Sequence, residues 1–278
     1  MAEGIRVINS EYRQMQGVSS TDLKRMMKSP AHYLYFKENP QEDTPSLLFG
    51  RAYHKMCLET SEFFEEFAVV PQCDRRTKEG KEIYARFLAE SEGKDVITSD
   101  MYEQIHKMRE VLMSTKFVPK LINGTHEMSY FSTDESTGLT VKCRPDSHTK
   151  IGDRHLIIDL KTTNNADTDS FTRDAIKYGY DIQAAHYCQI MKQVTGHDYE
   201  FIFICQEKQP PFAVNVLQAS EQFMQSGYET RQSLLETLKE CIDKNSYPSY
   251  MGFDNEIGSL GLPSWLSKMY PEEESEEE

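Results

Sequence analysis

The chain has 278 residues, 38% of them hydrophobic, and carries a net charge of −14 at neutral pH. That length allows one domain with a full core and a smaller helical part, and makes two large domains a tight fit. No apolar run approaches the roughly 20 residues that span a bilayer, and Met1 to Ser10 lacks a basic-then-apolar leader, so a soluble cytoplasmic protein without membrane association is expected.

The first third reads as helical. Ser19, Ser20, Thr21 and Asp22 offer N-caps to a helix through Met27, and Ser29-Pro30 restarts one with proline at its first position until Asn39-Pro40 ends it. A third helix starts at Thr44-Pro45 and stacks Gly50, His54 and Leu58 on one face at four-residue spacing. Residues 71 to 82 lack periodicity and gather Arg75, Arg76, Lys78 and Lys81, which reads as a mobile basic loop offering phosphate contacts. Helical spacing resumes over Ile83 to Ala89 and Ser99 to Lys116.

From Thr125 the period changes to two. His126 to Phe131 and Leu139 to Arg144 alternate around a Thr137-Gly138 turn as a hairpin, and His155 to Lys161, after the Gly152-Asp153 turn, is apolar enough for a central strand. One helix over Ser170 to Val194, strands over Glu200 to Cys205 and Phe212 to Leu217, and a closing helix over Glu221 to Lys244 complete an α/β layered domain with a central mixed sheet. Residues 271 to 278 hold six glutamates. Removing them leaves a net charge of −8, so much of the acidity belongs to a solvated tail. The cysteines, Cys57, Cys73, Cys143, Cys188, Cys205 and Cys241, form no CxxC pair and read as reduced structural thiols.

One constellation carries chemistry. Asp159 and Lys161 stand two apart on a strand and share a face, while Leu160 points to the opposite layer. Asp146, after Pro145 at the end of the preceding strand, is where a hairpin partner brings its carboxylate beside Asp159. Two carboxylates that close repel unless a hard cation holds them, and oxygen ligands on rigid strands suit magnesium or manganese. Such an ion polarises a phosphodiester and lowers the pKa of a bound water, alone or as one of a pair. Lys161 is placed to orient or help deprotonate that water and to offset charge developing on phosphorus.

Arg144-Pro145-Asp146 followed by Asp159-Leu160-Lys161 resembles the signature of the PD-(D/E)xK nuclease superfamily. Gly50 with His54 resembles the added first motif of its RecB-type branch, and Gln183 with Tyr187 that branch's final motif. Within the branch the chain is most similar to the exodeoxyribonuclease VIII family, the RecE-type nuclease domains, and related phage exonucleases, from about Ser19 to Trp265. The resemblance implies a restriction-endonuclease-like core, with His54, Asp146, Asp159 and the Leu160 carbonyl as metal ligands and Lys161 as the catalytic lysine. It further implies Glu127 acting on the metal through water, and Gln183 and Tyr187 steadying the DNA strand or Lys161. Residues 1–120 would be a helical part integral to the nuclease domain, 121–265 the catalytic core, and 266–278 an acidic disordered tail.

The same resemblance implies a magnesium-dependent, ATP-independent exonuclease digesting double-stranded DNA ends 5′ to 3′. It also implies a homo-oligomeric, tetrameric ring and a RecT-like single-strand annealing partner. Some relatives hold an iron–sulfur cluster through one distant cysteine and a C-terminal group of three; that grouping is missing here, so no cluster is expected. Two alternatives are a structure-specific or restriction-type endonuclease with the same chemistry, and a non-catalytic DNA-mimic or inhibitor protein using the acidic tail. Intact Asp146, Asp159 and Lys161 argue against the second.

Overall fold

The computed structural model describes residues 4–40, 44–253 and 257–269, and its helices begin where the sequence offers caps. After α1 (Asn9–Gln14), α2 (Ser20–Met26) is opened by a capping box in which Ser19 and Asp22 satisfy each other's backbone donors. Ser29 caps α3 (Pro30–Glu38) and Thr44 caps α4 (Pro45–Leu58), each with proline in the first turn, where its missing N–H costs nothing. A 3₁₀ turn and α5 (Phe63–Glu66) lead to β1 (Phe67–Val69), which pairs in parallel with β2 (Asp95–Ile97) across α6 (Lys78–Glu90). The helices α7 (Ser99–Ser114) and α8 (Val118–Leu121) follow.

The remaining strands are β3 (Thr125–His126), β4 (Tyr130–Thr133), β5 (Thr140–Cys143), β6 (Ser147–Ile151), β7 (Arg154–Thr163), β8 (Tyr199–Glu207) and β9 (Val214–Gln218). Between β7 and β8 run α9 (Thr168–Lys177) and α10 (Tyr180–Thr195); α11 (Glu221–Lys244) and the short α12 (Ser264–Ser267) come last. Five strands form a mixed sheet in the order β3-β6-β7-β8-β9, and β4 pairs with β5 in a separate hairpin. Only β7 and β8 pair in parallel within the larger sheet, because the two helices between them carry the chain back to the same end.

Alternation on β7 and β8 divides the core into two layers. Ile157, Phe201, Phe203 and Cys205 pack with Leu23 of α2, Ile182 and Cys188 of α10, and Leu235 and Leu238 of α11. Leu156, Ile158, Leu160, Ile202 and Ile204 pack on the other face with Ala52, Tyr53 and Met56 of α4 and Ile105, Met108 and Leu112 of α7. The amino-terminal helices α4 and α7 therefore cover one face of the sheet. All six cysteines are free thiols, five of them buried. No helix among the described residues is long and apolar enough to cross a membrane.

Several elements differ from the sequence-based expectation. The strand expected over His126 to Phe131 is broken at Glu127, whose left-handed φ of 51° turns the chain from pairing with β6 to pairing with β5. The polar stretch after Asp146 is itself a strand, β6, so Asp146 stands at its start rather than at the end of the strand before it. The single helix over Ser170 to Val194 is two, separated at Gly179 with φ 63°. The basic loop ends early: Thr77 caps α6 through the Gly80 N–H, so Lys78 and Lys81 are helical. The β1–β2 pair was not foreseen, since three-residue strands are too short to show a period. Of the expected acidic tail, residues 270–278 lie outside the described residues.

Candidate active site

The site forms where two strands part. Antiparallel pairing of β6 with β7 runs from Ile151 opposite Arg154 to Ser147 opposite Ile158, which makes Asp146 and Asp159 the next residues along. Beyond that last pair β6 no longer supplies partners, and the main-chain groups of Leu160 must be satisfied otherwise. Its N–H donates to Oδ2 of Asp146 at 2.7 Å, and its carbonyl meets Nε2 of His54 at 2.9 Å. Nδ1 of His54 lies 3.5 Å from the same Asp146 oxygen. One carboxylate at the start of β6, one imidazole from α4 and the main chain of one β7 residue thus close around a single point.

Glu127 completes the group. Its left-handed backbone, with its N–H directed at the Asp146 carbonyl (3.3 Å), is an uncommon conformation for a residue with a Cβ and is held by pairing on both sides. His54, Glu127 and Asp146 offer donor atoms all within 4.8 Å of one another. Burial, and then the Asp146 carboxylate, push Glu127 up to about 8. Asp146 is likewise raised, first by burial and also by Asp159, against the lowering effect of His54.

Asp159 stands apart from that trio: one oxygen accepts a hydrogen bond, and the other, buried without one, lies in an ion pair. It is 1% exposed; Oδ1 accepts from Nε2 of Gln183 at 2.5 Å, and Oδ2 pairs with Nζ of Lys161 at 2.5 Å. Burial alone would lower Lys161, but Asp159 and Asp146 outweigh it, so the ammonium is held above its ordinary value and stays charged. Its Nζ also sits 4.8 Å from the centre of the Tyr180 ring, a cation–π arrangement.

Leu160 is fully buried in the layer opposite Asp159 and Lys161, as the strand alternation requires. Gln183 reaches Asp159 rather than Lys161. Tyr187, one turn further along α10, packs its ring 6.3 Å from that of Phe201, and burial holds its hydroxyl well above its ordinary value. A Cβ built on Gly50 would meet nothing within 4 Å among the described residues, so the helix face beside His54 is open at that position. The basic residues do not join the site. Arg76 donates through Nε and Nη2 to the two carboxylate oxygens of Asp74, each at 2.9 Å, and Arg75 lies 3.9 Å over the Tyr84 ring. Lys78 and Lys81 sit on α6, and among the described residues none of the four contacts the His54–Asp159 group.

Sequence reasoning missed Lys24 and Tyr180. Nζ of Lys24 donates to Oε1 of Gln183 at 2.8 Å and lies 4.9 Å from the Tyr180 ring centre. The available signal was that Ser20, Leu23 and Met26 define the inward side of α2, which places Lys24 beside it.

A half-buried imidazole and two carboxylates driven toward protonation by burial and mutual repulsion form a donor set that a divalent cation would relieve, and oxygen and imidazole donors suit magnesium or manganese. The mixed sheet flanked by helices, with acid and lysine side by side where β6 and β7 part, defines a PD-(D/E)xK-type core. The chain belongs to the family described as "PDDEXK-like domain of unknown function (DUF3799)", whose profile matches residues 19–255. It is similar in fold to a crystal structure from Eubacterium rectale, provisionally titled an exonuclease, with a TM-score of 0.60 and 15% identity over 96% of this chain and 100% of that one. A second solved structure, SSO0001, overlaps with a TM-score of 0.34 and 12% identity over 81% of each chain. No curated protein matches the chain by sequence.

Proposed function

We propose that this protein is a magnesium-dependent, ATP-independent deoxyribonuclease that digests double-stranded DNA from its ends. The observation that carries the reading is the convergence of His54, Glu127, Asp146, Asp159 and Lys161, from separate elements, on the point where β6 and β7 diverge. His54, Glu127 and Asp146 would hold the ion, with the Asp159 carboxylate and the Leu160 carbonyl beside them. When bound, such an ion supplies Lewis acidity toward the phosphodiester and an acidified water.

The chain's own groups do the rest. Lys161, held by Asp159 and the Tyr180 ring, donates as an ammonium to a non-bridging phosphate oxygen and stabilises charge that grows in the transition state. Because its partners are already in place, no reorganisation is required as the reaction proceeds. The open face of α4 at Gly50 admits a strand next to His54. A cavity of about 460 Å³ lined by Lys24, Met27, Lys28, Lys177 and Tyr178 adjoins the Gln183 side of the site, and Lys28 and Lys177 give backbone phosphates a basic seat despite the acidic chain. Digestion 5′ to 3′ by a ring-shaped oligomer, handing 3′ overhangs to an annealing partner, rests on the resemblance to exodeoxyribonuclease VIII-type nucleases.

The test is incubation of wild type and Lys161→Ala with linear and with covalently closed circular duplex, in magnesium or in chelator. Loss of linear duplex only, only with magnesium and only for wild type, is the expected result. Equal digestion by Lys161→Ala would refute the mechanism, and cleavage of closed circles would make the enzyme an endonuclease.

A further inference from the structure

Two lysines, not one, face the ring of Tyr180, at 4.8 Å for Lys161 and 4.9 Å for Lys24. Lys24 is brought there by the turn between α9 and α10: with no Cβ on Gly179, Met27 and the Lys24 stem close over it, where a Cβ would lie 3.0 Å from Sδ of Met27 and 3.3 Å from Cγ of Lys24. From that seat a continuous chain of polar contacts runs into the site. Lys24 donates to Oε1 of Gln183 at 2.8 Å, Gln183 donates through Nε2 to Oδ1 of Asp159 at 2.5 Å, and Oδ2 of Asp159 pairs with Lys161.

The chemistry of that chain has a direction. A primary amide can present either its oxygen or its NH₂ group, whereas an ammonium has three donors and no acceptor. In its charged form Lys24 is therefore satisfied only by the amide oxygen, which leaves the NH₂ to face Asp159. The reversed amide would set an oxygen against a carboxylate that is 1% exposed, with little water available to relieve the repulsion. Gln183 is itself 7% exposed. A second cation beside Lys161 is costly here: burial and the Lys161 charge together push Lys24 down to about 7.

We propose that Lys24 is a positioning residue of this site: by donating to Oε1 of Gln183 it fixes the direction of the amide and, through it, the Asp159 carboxylate that holds Lys161. The inference rests on the nuclease reading for its kinetic consequence but not for its geometric one. Loss of an outer-shell partner costs on the order of 10- to 100-fold in metal affinity or activity. Lys24→Met and Gln183→Met are each expected to lower kcat on linear duplex by that order and to weaken Mn²⁺ binding, measured by calorimetry without DNA, by about tenfold. KM should move little.

The deciding variant is the double one. If both side chains act through one hydrogen bond, Lys24→Met in the Gln183→Met background adds nothing, because that bond is already broken. Lys24→Arg, which keeps the donors, should restore part of both readouts, and thermal unfolding of each variant controls for misfolding. Multiplicative losses in the double variant, or a Lys24→Met protein equal to wild type in Mn²⁺ affinity and kcat, would overturn the proposal. A wild type that binds Mn²⁺ but leaves DNA intact would sink the nuclease reading alone, with the Mn²⁺ series still deciding the role of Lys24. A wild type that neither binds nor cleaves overturns both.

Discussion

His186 on α10 is fully buried, and its contact with Arg231 requires a neutral ring. Nδ1 accepts from Nε of Arg231 at 3.2 Å, so the proton resides on Nε2, which faces the carbonyls of Val18 (3.1 Å) and Lys142 (3.2 Å). Arg231 in turn pairs with Asp134 at 2.9 Å, and Asp134 receives the Ser136 and Thr137 hydroxyls. One network thereby ties α10 and α11 to the turn of the β4–β5 hairpin. Protonating His186 would break the bond from Arg231 and place two cations together, and burial with that Arg231 charge lowers its pKa from 6.5 to about 3.

The sign follows from linkage. The folded value is depressed, so the contribution is fully present above pH 6.5 and is lost as pH falls toward 3, because only the unfolded chain takes up the proton. Between about pH 7.5 and 5.0 that amounts to about 2 kcal/mol. The assay is urea unfolding at both pH values for wild type and His186→Gln, an uncharged side chain with a donor and an acceptor. Burial also depresses His148, a background present in both proteins that cancels in the difference. The wild type should lose about 2 kcal/mol more than the variant on acidification. An identical loss in the two proteins would refute the assignment of His186 as a buried neutral ring.

Other expectations are more local. Gly227 on α11 sits against α10 so closely that a Cβ would lie 2.2 Å from the Asp181 carbonyl oxygen; Gly227→Ala should therefore cost about 1–3 kcal/mol in chemical denaturation by forcing the helices apart. Replacing Lys28 and Lys177 together by alanine should reduce the slope of log affinity for duplex against log salt by nearly one unit for each phosphate no longer neutralised, while Lys78→Ala with Lys81→Ala should leave it unchanged. The reverse ranking, read by fluorescence anisotropy, would return the DNA path to α6.

Much of this was legible in the sequence, for reasons that differ by element. Capped helices with proline in the first turn, α3 and α4, start at Pro30 and Pro45 because the caps are local chemistry. The Asp159–Lys161 face could be read because a strand's period is invariant. What escaped depends on partners distant in sequence. The break at Glu127 is set by Asp146 and by the divergence of two sheets, and Lys24 gains its significance from a glutamine 159 residues away. The loop expected over residues 71–82 ends early because composition cannot reveal that Thr77 caps a helix starting at Lys78.

The central claim is that side chains from α4, the β3–β4 break, β6 and β7 meet to hold one kind of ion. Calorimetric titration of Mn²⁺ into metal-free protein tests it most directly, with Asp146→Asn as the partner measurement, since Asp146 touches both His54 and the Leu160 N–H. The account predicts saturable binding of one or two ions by wild type and its loss in Asp146→Asn at unchanged fold. Binding that survives the substitution intact, or a wild type that takes up no Mn²⁺, would contradict it.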